Sequence, residues 1–311
     1  MAKLARGPRT IRRNTKNDKI FIAVMAIPLL LQFAVFTIYV NISSIFMAFQ
    51  RIDYETNKVV LAGLYNFKVF FVNFGQSDFW PRAIFNSLGY FPVTALITLP
   101  LSIFAGYFLY RKIWFHNFFK VVFFLPNIIS IIVLGMFFKN MFDPSIGLVN
   151  RFLMDGFKVP RGDIPLWFMD KNIAMWMLYL YAVWAGIGYN VILIFGAISR
   201  IPIEVMESAR LDGIGVFKEI VKIVVPIIWP TITTMTVFCV MTVFSQFMHP
   251  LILTPGTPAS TQTIAYVIIT SVKNGNYYAS AAVGLIFTVV AVPIIMLVRR
   301  IMERMFDTVE T

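Results

Sequence analysis

Residues 201–230 read IPIEVMESARLDGIGVFKEIVKIVVPIIWP, a charged island set between long apolar runs. Glu204, Glu207, Arg210, Asp212, Lys218, Glu219 and Lys222 lie between residues 172–199 and 223–272, two stretches without one Asp, Glu, Lys or Arg. A charge at the centre of a bilayer costs roughly 2.5–3.5 kcal/mol even on the mildest insertion scales. Seven of them cannot be held there. The island therefore lies in water at a membrane face, and the runs beside it are membrane spans.

Working outward, the whole chain has this character. It is 59% hydrophobic and only 14% charged, against about 25% charged in soluble domains, and its mean hydropathy is +0.76. Charge-free runs cover residues 20–50, 83–110, 121–138, 172–199, 223–272 and 274–298. A crossing needs about 20 apolar residues. The run from 223 is too long for one helix, and Pro255-Gly256-Thr257-Pro258 breaks it. These runs predict an all-α integral membrane protein with six transmembrane helices, at 20–49, 83–110, 121–142, 172–199, 226–253 and 279–301. They form a single domain over 20–301, preceded by a basic arm (1–19) and followed by a short tail (302–311). The first run is longer than the roughly 7–15 apolar residues of a signal peptide, so a retained span is expected.

The net charge of +12 follows topology. Lys3, Arg6, Arg9, Arg12, Arg13, Lys16 and Lys19 precede the first span. With that end in the cytoplasm, Arg111, Lys112, Lys120, Arg200, Arg210, Lys218, Lys222, Arg299, Arg300 and Arg304 fall on the same side, the larger part of the 27 Lys and Arg residues. This is the positive-inside pattern. It puts both termini and the island in the cytoplasm, with 51–82 and 143–171 outside. No basic patch interleaved with aromatics forms a soluble nucleic-acid module, so no nucleic acid is expected as a partner.

The chemistry absent from the chain is as telling. No G-x-x-x-x-G-K-[ST] phosphate loop occurs, His116 and His249 are far apart, Cys239 is alone, and no pair of carboxylates lies within a span. No catalytic residue, metal site or bound cofactor is expected in this chain, and proton coupling through an intramembrane acid has no support.

The island itself reads as a compact knob. Pro202 suits a helix start, and Glu204 and Glu207 sit in the first turns, where the helix dipole favours negative charge. Asp212-Gly213 is a turn signal, with Gly213 free to take φ > 0. A second helix over 216–225 puts Phe217, Ile220, Val221 and Val224 on one face, with Lys218, Glu219 and Lys222 off it. The small residues Ser208 and Ala209 allow the knob to press into a groove. On these residues alone, an interfacial amphipathic helix fits equally.

The order Glu207-Ser208-Ala209-Arg210-Leu211-Asp212-Gly213, followed by Pro226, resembles the E-A-A-x-x-D-G loop of ABC importer permeases, with Ser208 and Ile214 in place of alanines. Other blocks are similar to the carbohydrate-type permeases related to the maltose permease. They are Gly63–Phe67, Phe124-Leu125-Pro126 with Gly135–Phe138, Gly147 with Asn150, Ile201-Pro202, Leu253–Pro258 with Thr261 and Thr263, and Tyr277–Ala282. The ending RRIMERMFDTVET lacks the A-V-K-G tail of one subunit type. The chain thus resembles the maltose-permease first subunit and the Gram-positive polysaccharide permeases. The resemblance implies a cytoplasmic EAA-type coupling loop (201–225) between helices four and five. There Glu204, Glu207, Ser208, Ala209, Asp212, Gly213 and Phe217 would dock onto an ATPase. It further implies a heterodimer with a second permease subunit, two ATPase subunits that bind ATP and Mg, an extracellular solute-binding protein and a carbohydrate substrate.

Polar side chains within the spans are candidates for a substrate path. Thr242, Gln246 and His249 form an i, i+4, i+7 stripe, Trp184, Tyr189 and Asn190 lie in span four, and Asn127 in span three. Sugars need hydrogen-bonding groups and aromatic faces. The competing role is bonding between helices. The expected function is the permease subunit of an ATP-driven, binding-protein-dependent importer of a sugar or oligosaccharide, a multi-pass protein surrounded by the lipid of the cell membrane. An importer of a glycerol phosphate ester or polyol is the alternative. An integral-membrane transferase is a third reading.

Overall fold

The computed structural model describes residues 15–53, 55–76, 78–256 and 259–305. The arm up to residue 14, Thr257 and Pro258 of the loop motif, and the tail from 306 lie outside the described residues.

Four helices are long and apolar enough to cross a membrane: α1 (Asp18–Ala48), α3 (Phe79–Tyr110), α7 (Ala174–Ile198) and α13 (Tyr277–Met305). Between α1 and α3 come a hairpin, β1 (Gln50–Asp53) and β2 (Lys58–Leu61), and helix α2 (Tyr65–Gln76). The strands pair antiparallel with Gln50 opposite Leu61, the one sheet among the described residues of a helical chain. The Asn66 side-chain amide staples this segment by donating to the carbonyls of Ala48 (2.9 Å) and Gln50 (2.7 Å).

Two expected spans are not single straight helices. Residues 121–142 fall on α4 (His116–Ile128) and α5 (Ile131–Met141), which meet at 106°. Ser130 is the break, with extended backbone (ψ 135°) where the helix restarts. After helix α6 (Leu148–Phe157) and α7 come α8 (Ile203–Leu211) and α9 (Val216–Ile227), and then α10 (Trp229–Ser245), bent from α9 by 81°. The span expected over 226–253 is therefore α10 followed by a separate short helix, α11 (Met248–Leu253), with Gln246 extended at the break (ψ 104°). Helix α12 (Ile264–Lys273) precedes α13. With each bent pair counted as one crossing, the number is six.

Helices approach closely where side chains are small, the usual device where lipid removes the hydrophobic drive between helices. A β-carbon at Gly188 of α7 would overlap the Phe123 carbonyl oxygen of α4 and come within 2.6 Å of the Asn127 side-chain nitrogen. Two apolar clusters result. One joins Tyr90 of α3, Phe138 of α5, Leu178 and Tyr181 of α7 and Leu253 of α11. The other joins Leu99 and Tyr107 of α3, Ile194 and Ile198 of α7, and Met206, Ile220 and Val224 of the charged island.

Candidate functional site

The island folds as two short helices around one turn. Helix α8 turns Met206 and Ala209 inward, 1% and 5% exposed, with Met206 on the cluster around Tyr107 and Ile198. Glu204, Glu207, Ser208 and Asp212 face outward. The helix ends when the Ile214 N–H reaches back to the Ala209 carbonyl (3.3 Å) with Gly213 at φ +69°, the six-to-one closure of a Schellman cap, whose left-handed residue is most often glycine. The chain then re-enters a helix at Val216. Leu211 and Phe217 flank the turn, 89% and 65% exposed.

Three expectations about this knob need correction. Ala209 is not groove-facing, because its small size serves packing on the chain's own core. Phe217 and Val221 do not share the buried face of Ile220 and Val224. Glu219, expected in water, is 1% exposed. The inward face is made by Glu219, Ile220, Ile223 and Val224, an ordinary 3.6-residue stripe rotated away from the one expected through Phe217 and Val221, and Glu219 falls on it because it finds a charged partner there. The buried Glu219 carboxylate lies 3.5 Å from the Arg111 guanidinium, at the end of α3. Arg111 also donates to the Tyr107 hydroxyl at 3.0 Å. That hydrogen bond, supported by the charge of Glu219, raises the pKa of Arg111.

A second feature lies along α10. A cavity of about 310 Å³ is lined by Tyr189 and Asn190 of α7, Thr242 of α10, and Gln246 and His249 at the break between α10 and α11. Thus five of the seven path candidates meet at one place, although the helix carrying the stripe is interrupted within it. Gln246 Nε2 lies 3.3 Å from His249 Nε2, and the edge-on ring of Tyr181 packs 4.8 Å from the imidazole. The break is held by the next loop, as Thr263 donates to the Gln246 carbonyl and Asn86 of α3 donates to the Ser260 and Gln262 carbonyls, both at 2.9 Å. Trp184 and Asn127 stand elsewhere. Trp184 stacks on Phe138 at 5.5 Å, and Asn127 packs against Gly188. Thr94 and Thr98 of α3 complete the cavity wall. Sequence reasoning passed over this pair, though its i, i+4 spacing in an apolar run is the same signal that singled out the stripe in span five. Arg111 and Tyr107 carried no such signal, because their partner stands on a distant segment.

The family model described as "Binding-protein-dependent transport system inner membrane component" matches residues 98–307, which include the knob and most of the cavity wall. The chain belongs to that family. It is a membrane-embedded permease of a transport system that works with a binding protein. Among relatives, the permease is 28% identical over 277 residues to the diacetylchitobiose uptake system permease protein NgcF of Streptomyces coelicolor, covering 84% of this chain and 76% of that one. It is 27% identical over 270 residues to the arabinooligosaccharides transport system permease protein AraP of Bacillus subtilis, covering 85% and 82%. In fold it matches a crystallised bacterial ABC transporter involved in import of the acidic polysaccharide alginate, with a TM-score of 0.78, 24% identity, and 94% and 97% of the two chains covered.

Proposed function

We propose that this permease is one half of the translocation path of an ATP-driven importer for a sugar or oligosaccharide. The observation that carries the reading is the knob, whose buried underside is fixed to α3 and α7 while Glu204, Glu207, Asp212 and Phe217 are left outward around the Gly213 turn. A docking element needs this division between a fastened and a presented face. The partners are a second, unlike permease subunit, two ATPase subunits that bind ATP and Mg, and an extracellular binding protein that delivers the substrate. Both termini and the knob lie in the cytoplasm, and the single permease domain spans 20–301. The relatives that handle diacetylchitobiose and arabinooligosaccharides support a carbohydrate substrate. The cavity offers amide, hydroxyl, imidazole and aromatic groups and no Lys or Arg, which favours an uncharged glycan over a glycerol phosphate ester. A transferase is disfavoured, since no cluster of three or more His, Cys, Asp or Glu occurs among the described residues.

The test is to purify the permease with its co-expressed neighbours and cross-link a cysteine at Phe217. Formation of an adduct with the ATPase subunit, together with ATP-dependent sugar uptake in proteoliposomes, is the expected result. An assembled complex in which Phe217→Cys never reaches the ATPase would overturn the docking role.

A further inference from the structure

We propose that Glu219 and Arg111 form a positioning pair that carries motion of the knob to the second span as well as the fifth. This rests on the coupling role of the knob. The backbone by itself gives one route, because α9 continues through its 81° bend into α10. It gives no route to α3, which ends at Tyr110 more than a hundred residues earlier in the chain. Yet α3 supplies Thr94 and Thr98 to the cavity wall, so a path that opens by moving only α10 would leave one wall behind.

The observed contacts supply the missing link. Apolar packing of Ile220 and Val224 on Tyr107 is non-directional and tolerates sliding. An ion pair whose acid is buried and whose base reaches in from the solvent side is different. Once Glu219 is 1% exposed and 3.5 Å from Arg111, any shift that separates them leaves a buried carboxylate without that partner, which is strongly unfavourable. Buried ionic groups such as Glu219 are best attested as devices that fix register. Tyr107 restricts the pair further. Its fully buried hydroxyl accepts from the same Arg111 nitrogen at 3.0 Å, so the guanidinium is oriented from two sides. Arg111 stands directly beyond the last turn of α3. Counted from Thr98, the intervening helix is about 20 Å long at 1.5 Å per residue. A displacement of Glu219 is thereby delivered along a rigid element to the cavity. The pair is a positioning device, because neither side chain lines the cavity.

The test uses the complete transporter in proteoliposomes, with sugar uptake and ATP hydrolysis measured on the same preparation. Glu219→Gln and Arg111→Gln should assemble, keep the Phe217→Cys cross-link to the ATPase subunit, and still hydrolyse ATP. The sugar moved per ATP should fall by tenfold or more. The exchanged double variant Arg111→Glu/Glu219→Arg should recover most of that ratio, a rescue that a merely space-filling role would not give. Single variants with an unchanged ratio, or an exchanged variant no better than the singles, would overturn the positioning role. Loss of the Phe217 cross-link in the otherwise unaltered protein would instead overturn the coupling reading beneath it.

Discussion

Gly188 of the fourth span lies against the backbone carbonyl of Phe123, with the Asn127 side chain beside the contact. The nearest neighbour is main chain, which cannot rotate aside as a side chain would. Gly188→Val should therefore force α4 and α7 apart. Overpacking of this kind costs about 1–3 kcal/mol, and the lost approach should lower the thermal unfolding midpoint of the detergent-solubilised protein by several degrees. Gly196, with open space around its β-carbon position, is the control. Gly196→Ala should leave the midpoint unchanged, and equal behaviour of the two variants would refute the close-contact account.

At Gly213 the demand is conformational. Nothing lies within 4 Å of a β-carbon there, but φ is +69°. Left-handed backbone costs ordinary residues about 1–2 kcal/mol, Asn less, and a β-branched residue most. Uptake should fall in the order Gly, Asn, Ala, Val, with membrane insertion unchanged. Stimulation of ATP hydrolysis by the loaded binding protein should fall in the same order. Full transport by Gly213→Val would contradict the cap.

Gln246 and His249 make the third prediction. Each lines the cavity, and their side chains touch each other. Gln246→Ala and His249→Ala should each reduce uptake while leaving complex assembly and sugar affinity of the binding protein intact. A normal uptake rate in both would reduce the pair to interhelical bonding and move the path elsewhere.

Topology is open to a direct chemical check. Lys158 lies just past the end of α6, and Lys218 is exposed on α9. In intact cells a membrane-impermeant thiol reagent should label Lys158→Cys and spare Lys218→Cys, with both labelled after permeabilisation. The opposite pattern would invert the orientation argued from the basic residues.

The segment between α5 and α7 offers a structural check. Asn150 donates to the Phe142 and Asp143 carbonyls (3.1 and 2.9 Å) and accepts from the Trp167 indole (2.8 Å). It is 1% exposed. Asn150→Leu deletes these bonds and leaves buried groups unpaired, at about 1–3 kcal/mol for each. The variant should be cleaved far faster than the parent by protease added on the outer side, and equal cleavage would remove Asn150 as the organiser of this segment.

Much of this was legible in the residues. Runs without charge located the crossings, because one ionised side chain in hydrocarbon is decisive. The Asp212-Gly213 turn was readable because so few residues accept a left-handed backbone. What escaped depends on neighbours that composition does not reveal. Ser130 and Gln246 interrupt apolar runs that look continuous, since a broken helix inside a bundle and an unbroken one need the same side chains. Glu219 was placed in water because its charge set it off the apolar face, whereas the helix turns positions 219, 220, 223 and 224 inward together. Its partner at Arg111 is remote in the chain. Ala209 shows the same limit, as a small residue suits a docking face and a packed one equally.

The bend at Ile228 converts one kind of displacement into another. Helix α9 runs steeply across the axis of α10, so under the proposed coupling role a push on the knob would act on the longer helix as torque about the end that carries Trp229. The 17 residues of α10 make an arm of about 26 Å at 1.5 Å per residue. A rotation of about 10° would swing the end at Ser245 by about 4–5 Å over that length, roughly the width of a sugar ring's thin dimension. Under that proposal the angular excursion needed at the knob would be small because the geometry multiplies it, and Gln246, sited at the far tip of the arm, would experience nearly the whole stroke.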